Sequence, residues 1–130
     1  MFFLLHILCM ATAAAGIITG VSAAAFFRKN KNWLKIHKTC NSWSLGGIAV
    51  GIIMAFLFVL SSGGKHMDGL HQITGLTVFI IAFITLFLGF YQFKAKNKSA
   101  ARTAHRWLGR LSLLLLPAAI ALGLRLVSII

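Results

Sequence analysis

The chain has 130 residues, 59% of them hydrophobic, and a mean hydropathy of +0.91. A soluble domain of that size has no interior large enough for so much apolar surface, so lipid must cover much of it. The net charge of +12 would point to nucleic acid in a soluble protein. Here the cations sit in short loops between apolar runs, where lipid headgroups and membrane orientation account for them, and no nucleic-acid partner is expected.

Four apolar segments follow one another over 2–27, 39–62, 70–93 and 107–130. Each supplies the roughly 20 residues that a spanning helix requires. The second extends back to Trp33 and the fourth to Ala101, so helices are predicted over 2–27, 33–62, 70–93 and 101–130. The loops between them, "RKNKNWLKIHK", "SSGGKHMDG" and "KAKNKSAARTAHR", are short, which makes neighbouring helices antiparallel. The expected fold is all-α and integral to the membrane: an antiparallel four-transmembrane-helix bundle, one domain over 1–130, with no soluble head. The first apolar run lacks the positive n-region of a signal peptide, so cleavage near "VSAAA" is the lesser reading.

Charge sets the orientation. Arg28, Lys29, Lys31, Lys35 and Lys38 occupy the first loop region, and Lys94, Lys96, Lys98, Arg102, Arg106 and Arg110 the third. The second loop holds only Lys65, offset by Asp68. The positive-inside rule then places loops one and three in the cytoplasm and both termini outside, as in a bacterial-type inner membrane. Trp33, Trp43 and Trp107 cluster at that cytoplasmic boundary, as an aromatic belt does.

Internal repeats carry the strongest signal. From His6 the first helix reads H-x2-C-x6-G-x3-G, through Cys9, Gly16 and Gly20; from His37 the second reads the same, through Cys40, Gly47 and Gly51. From His71 the third helix reads H-x3-G-x13-G, through Gly75 and Gly89, and from His105 the fourth repeats it through Gly109 and Gly123. Each helix thus carries a histidine near its N-terminal end. Because the helices alternate in direction, His6 and His71 fall at the outer face and His37 and His105 at the inner one. Imidazoles facing each other across a bundle can clamp the iron of a flat macrocycle, and haem accepts such axial pairs. With ~1.5 Å rise and ~100° per residue, Gly20 and Gly51 lie about 21 Å beyond their histidines and within about 40° of the same face. Gly89 and Gly123, eighteen residues on, return almost to the faces of His71 and His105. Each helix would then present a ligand at one level and a gap for a large ring at the other, giving two haem levels about 20 Å apart.

The plainer readings differ in strength. Gly16/Gly20 and Gly47/Gly51, taken alone, are better explained as small-xxx-small helix packing. A lone interfacial histidine is often a polar anchor, but four in matching register are not well explained that way, and ionisable groups in membrane helices mark function. His66 lies in the second loop outside the register and reads as a solvated residue. Cys9 and Cys40 form no C-x-x-C and read as packing beside the cofactor. Lys35, Arg102, Arg106 and Arg110 flank the inner histidines; they set topology, and Lys35, Arg106 and Arg110 could also neutralise haem propionates or attract an anionic reductant. Arg125 is directed away from the His105 face, toward headgroups.

The stretches "LLHILCMATAAAGIITG", "WLKIHKTCNSWSLGGIAVG", "HQITGLTVFIIAFITLFLGF" and "AHRWLGRLSLLLLPAAIALG" resemble the cytochrome b561 superfamily over nearly the whole chain. The resemblance implies two non-covalent haem b groups, one ligated by His6 and His71 and the other by His37 and His105, and electron transfer across the membrane. The six-helix ascorbate-using members carry an "ALLVYR"-like motif, and others are joined to DOMON domains. This sequence shows the four core helices without either, so the expectation moves from a self-sufficient ascorbate reductase to an oxidoreductase-type electron carrier. It would work with a donor and an acceptor (a quinol, small reductant, metal ion or redox protein), as an oligomer or in a larger complex. A haem-bearing membrane anchor subunit is the alternative. A small four-helix transporter is disfavoured, because the sole acid, Asp68, lies in a loop and cannot couple transport within the membrane.

Overall fold

A computed structural model describes residues 1–127 and contains four helices: α1 (Phe2–Phe26), α2 (Trp33–Ser61), α3 (Leu70–Tyr91) and α4 (Lys98–Leu126). No strand occurs among the described residues. All four helices are long and apolar enough to cross a membrane, so the protein is an all-α, multi-pass integral membrane protein. The expected boundaries agree closely. The start of α4 moves three residues earlier because the Asn97 side chain caps it, accepting from the Ala100 N–H at 3.0 Å. The expected continuation of α4 over 128–130 lies outside the described residues. Two residues beyond α2, Gly63 takes a φ of +67°, which favours glycine, and the Gly64 N–H donates back to the Val59 carbonyl at 3.1 Å.

The chain divides into two compact units, 1–65 and 66–130, each one helical hairpin: α1 packed on α2, and α3 packed on α4. In the first hairpin the contacts run antiparallel between small residues. A Cβ on Gly16 would collide with the Ser44 hydroxyl, and one on Gly47 would sit 3.3 Å from the Ala13 Cβ. Ala13, Ala23, Ser44 and Ile48 are buried along this seam. The packing reading of Gly16/Gly20 and Gly47/Gly51 therefore holds: absent side chains let two backbones approach.

Large apolar side chains point the other way. Leu114 is 73% exposed, Leu4 64% and Phe87 63%, and among the described residues no large side chain is fully buried. In water such a surface would aggregate. In hydrocarbon it is the required exterior, because lipid tails solvate Leu and Phe as well as a protein core does. Pro117 inside α4 withholds one backbone donor. Membrane helices tolerate this where neighbouring groups satisfy the freed carbonyl.

Candidate metal-ligand sites

The four repeat histidines are all partly buried, and each is tied to the backbone of its hairpin partner. His6 Nδ1 lies 2.8 Å from the Gly51 carbonyl oxygen and His37 Nδ1 2.8 Å from that of Gly20. His71 Nδ1 lies 2.9 Å from the Ala119 carbonyl oxygen and His105 Nδ1 2.8 Å from that of Thr85. A carbonyl oxygen only accepts, so Nδ1 carries the proton in all four. In a neutral imidazole the lone pair then resides on Nε2. This arrangement is the usual support of a ligating histidine: one ring nitrogen donates to a fixed acceptor, which sets tautomer and ring orientation, while the other meets the metal.

One rule generates all four contacts. Each acceptor stands fourteen residues after the histidine of its own helix: Gly20 after His6, Gly51 after His37, Thr85 after His71 and Ala119 after His105. In each antiparallel hairpin, every helix therefore supplies an imidazole at one end and a carbonyl for its neighbour's imidazole at the other. Fourteen residues at ~1.5 Å rise separate the two levels by about 21 Å. These carbonyls already lie in helical turns, so each accepts a second, lateral hydrogen bond.

The glycines serve this contact in two ways. In α1 and α2 the acceptor is itself glycine, and its missing side chain admits the neighbouring helix. A Cβ on Gly51 would lie 2.9 Å from Met10 Cε and 3.3 Å from Cys9 Cβ, and one on Gly20 would lie 3.1 Å from Cys40 Cβ and collide with the Asn41 amide. In α3 and α4 the glycine stands one turn beyond the acceptor, against the imidazole itself. A Cβ on Gly89 would meet His105 Cε1 at 3.0 Å, and one on Gly123 would meet His71 Cε1 at 2.8 Å. The gaps predicted at Gly89 and Gly123 are thus edged by histidine rings of the same hairpin.

The remaining candidates lie further out. Lys35, Arg106 and Arg110 are exposed, and the Arg110 guanidinium stacks 4.9 Å over the Trp107 ring. Cys9 and Cys40 are free thiols, partly buried one turn inside their histidines. His66 is partly buried in the α2–α3 loop, and Arg125 is exposed near the end of α4. Sequence reasoning misses Thr85 and Ala119, whose role is carried by a backbone atom that every residue has. The trace they leave is a small or short side chain at the fourteenth position after each histidine. It also misses Asn41, whose amide nitrogen donates to the His37 carbonyl at 2.6 Å and lies 3.3 Å from His37 Nδ1.

Four apolar spans, each bearing a partly buried imidazole whose Nδ1 meets a backbone carbonyl of its hairpin partner, define a polytopic membrane protein with a histidine in every span. The family model for eukaryotic cytochrome b561 matches residues 1–129, and the chain belongs to the cytochrome b561 family. The comparisons with curated proteins and with solved structures each returned no match. Family membership makes this a haem b protein of transmembrane electron transfer, served by an electron donor and an acceptor. Because the family is described as eukaryotic, the expected bacterial-type inner membrane gains no support, and the family match does not fix the side of the termini.

Proposed function

We propose that the chain is a single-domain, two-haem electron conduit, with His6 and His71 ligating one haem b and His37 and His105 the other. The observation that carries this reading is the Nδ1–H···O=C bond made by all four histidines, which leaves the lone pair of each neutral imidazole on Nε2, the nitrogen that would meet a metal. The residues fit such a group: neutral imidazoles suit haem iron. When bound, haem would supply one-electron chemistry, and two histidines per iron would suit electron transfer rather than oxygen or substrate binding. Each hairpin sets its two histidines at levels about 21 Å apart, on helices that are apolar throughout their spans. Gly20, Gly51, Gly89 and Gly123 keep the ligand rings seated, by admitting either the neighbouring helix or the imidazole edge.

The basic loops, with Lys35, Arg106 and Arg110, are placed on the cytoplasmic side and both termini on the opposite one, following the charge asymmetry. An electron then passes between a donor at one face and an acceptor at the other, each a quinol, small reductant, metal ion or redox protein. Exposed cations at the basic face favour an anionic reagent there. Oligomer or larger-complex formation is part of the same reading.

The test is a reduced-minus-oxidised spectrum with haem quantitation on the purified protein. Two b-type haems per chain are expected, with His6→Ala and His37→Ala each removing a different one. A chain without a b-type signal, or histidine variants with unchanged haem content, would sink the proposal.

A further inference from the structure

The four histidines share one backbone support, but the residue four positions on differs from helix to helix. The residue four positions after each histidine is Met10 in α1, Asn41 in α2, Gly75 in α3 and Gly109 in α4. Asn41 is fixed in place. Its amide nitrogen donates to the His37 carbonyl at 2.6 Å, which identifies the nitrogen end of the amide. That same nitrogen lies 3.3 Å from His37 Nδ1. The ring nitrogen gives its proton to the Gly20 carbonyl, so the close approach brings two donor groups side by side. Gly20 leaves room for the amide, since a Cβ there would collide with it.

We infer that Asn41 is a positioning and tuning residue for the His37 ligand, and that it raises the reduction potential of the haem His37 holds. This inference rests on the ligand role proposed above. A carbonyl accepting from Nδ1–H makes an imidazole more electron-donating and favours ferric iron, and all four histidines have that contact. At His37 the positive end of an amide dipole stands beside the same nitrogen as well. That dipole opposes the build-up of negative charge on the ring, and ferric iron carries one more positive charge than ferrous iron. In a low-dielectric membrane interior such a fixed dipole acts with little screening. The ferrous state is therefore favoured at this haem relative to the haem held by His6, where Met10 offers no comparable dipole. Two chemically identical haems are thereby given different midpoints by one side chain.

The test is a potentiometric titration of the purified haem-loaded protein, resolving both haems, with the Asn41→Leu and Met10→Asn variants. Asn41→Leu is expected to lower one midpoint and leave the other in place, with two haems per chain retained. Met10→Asn is expected to raise the other midpoint, because it installs the amide at the equivalent position of α1. His37→Ala identifies which midpoint belongs to the His37 haem. Unchanged midpoints in Asn41→Leu with both haems present, or an equal shift of both, overturn this inference alone. If Asn41→Leu does not accumulate, Met10→Asn decides: no upward shift of one midpoint overturns it. Retention of both haems in His37→Ala overturns the ligand assignment and this inference with it.

Discussion

The two hairpins reach the same contact by different means. In α1–α2 the acceptor carbonyl belongs to a glycine, and the missing side chain is used to bring the helices together against Cys9, Met10, Cys40 and Asn41. In α3–α4 the acceptors are Thr85 and Ala119, and the glycine is displaced one turn, where the imidazole edge takes the place of its side chain. A helical carbonyl oxygen points along its helix toward the residue four positions on, so a lateral donor must find a way in. The oxygen can be opened either by drawing the whole neighbouring helix closer or by clearing the one position that overhangs it. The first hairpin adopts the first solution and the second hairpin the other.

The two solutions should fail differently. The largest effect is expected at Gly123 and Gly89. Gly123→Ala places a methyl 2.8 Å from His71 Cε1, and Gly89→Ala places one 3.0 Å from His105 Cε1; a ring held by its Nδ1 bond has little freedom to yield. Each variant is expected to lose most of one haem, the haem of the displaced histidine, read from the b-type absorbance per chain. Retention of both haems in both variants would remove the distinction between the hairpins. Next comes Gly20→Ala, where Cys40 Cβ and the Asn41 amide must both give way. Overpacking of this kind costs about 1–3 kcal/mol. Thermal unfolding in detergent should register that loss while haem content is largely kept, because the acceptor carbonyl itself survives.

A smaller effect is expected for Gly51→Ala. Its nearest neighbour, Met10 Cε at 2.9 Å, is the far end of a flexible side chain and can swing aside. The melting temperature should fall less than in Gly20→Ala; an equal or greater fall would show that Cys9, at 3.3 Å, is the rigid obstacle. The smallest effect is expected at Trp107, where replacement by Leu removes the stacked Arg110 guanidinium contact, worth about 0.5–1 kcal/mol at an exposed site. Haem content and the spectrum should not change. A spectral change would place this pair closer to the cofactor than its exposure suggests.

Much of the second-hairpin site is legible in the amino-acid sequence. The eighteen-residue interval from His71 to Gly89 and from His105 to Gly123 implies a shared face, and the glycines do lie at imidazole level. The occupant of the space is not legible there. Periodicity places a residue on a face without naming what the neighbouring helix brings to it. The glycines of the first hairpin read partly as packing and partly as cofactor gaps; the contacts of Gly16 and Gly47 with Ser44 and Ala13 give packing a direct part. Asn41 carries no repeat signal, since its counterparts in the other helices are Met and Gly.

By itself the sequence determined four membrane spans, their loop charges and a histidine at the start of each, because hydropathy and charge act through composition alone and need no partner. It also determined the register of small residues, since helical geometry is fixed. Only the tertiary structure decided which backbone oxygen each imidazole meets. That choice depends on the axial offset between two antiparallel helices, which in α1–α2 is set against a seam of small residues. A carbonyl is present at every position, so nothing in the residue types of Thr85 and Ala119 could single them out.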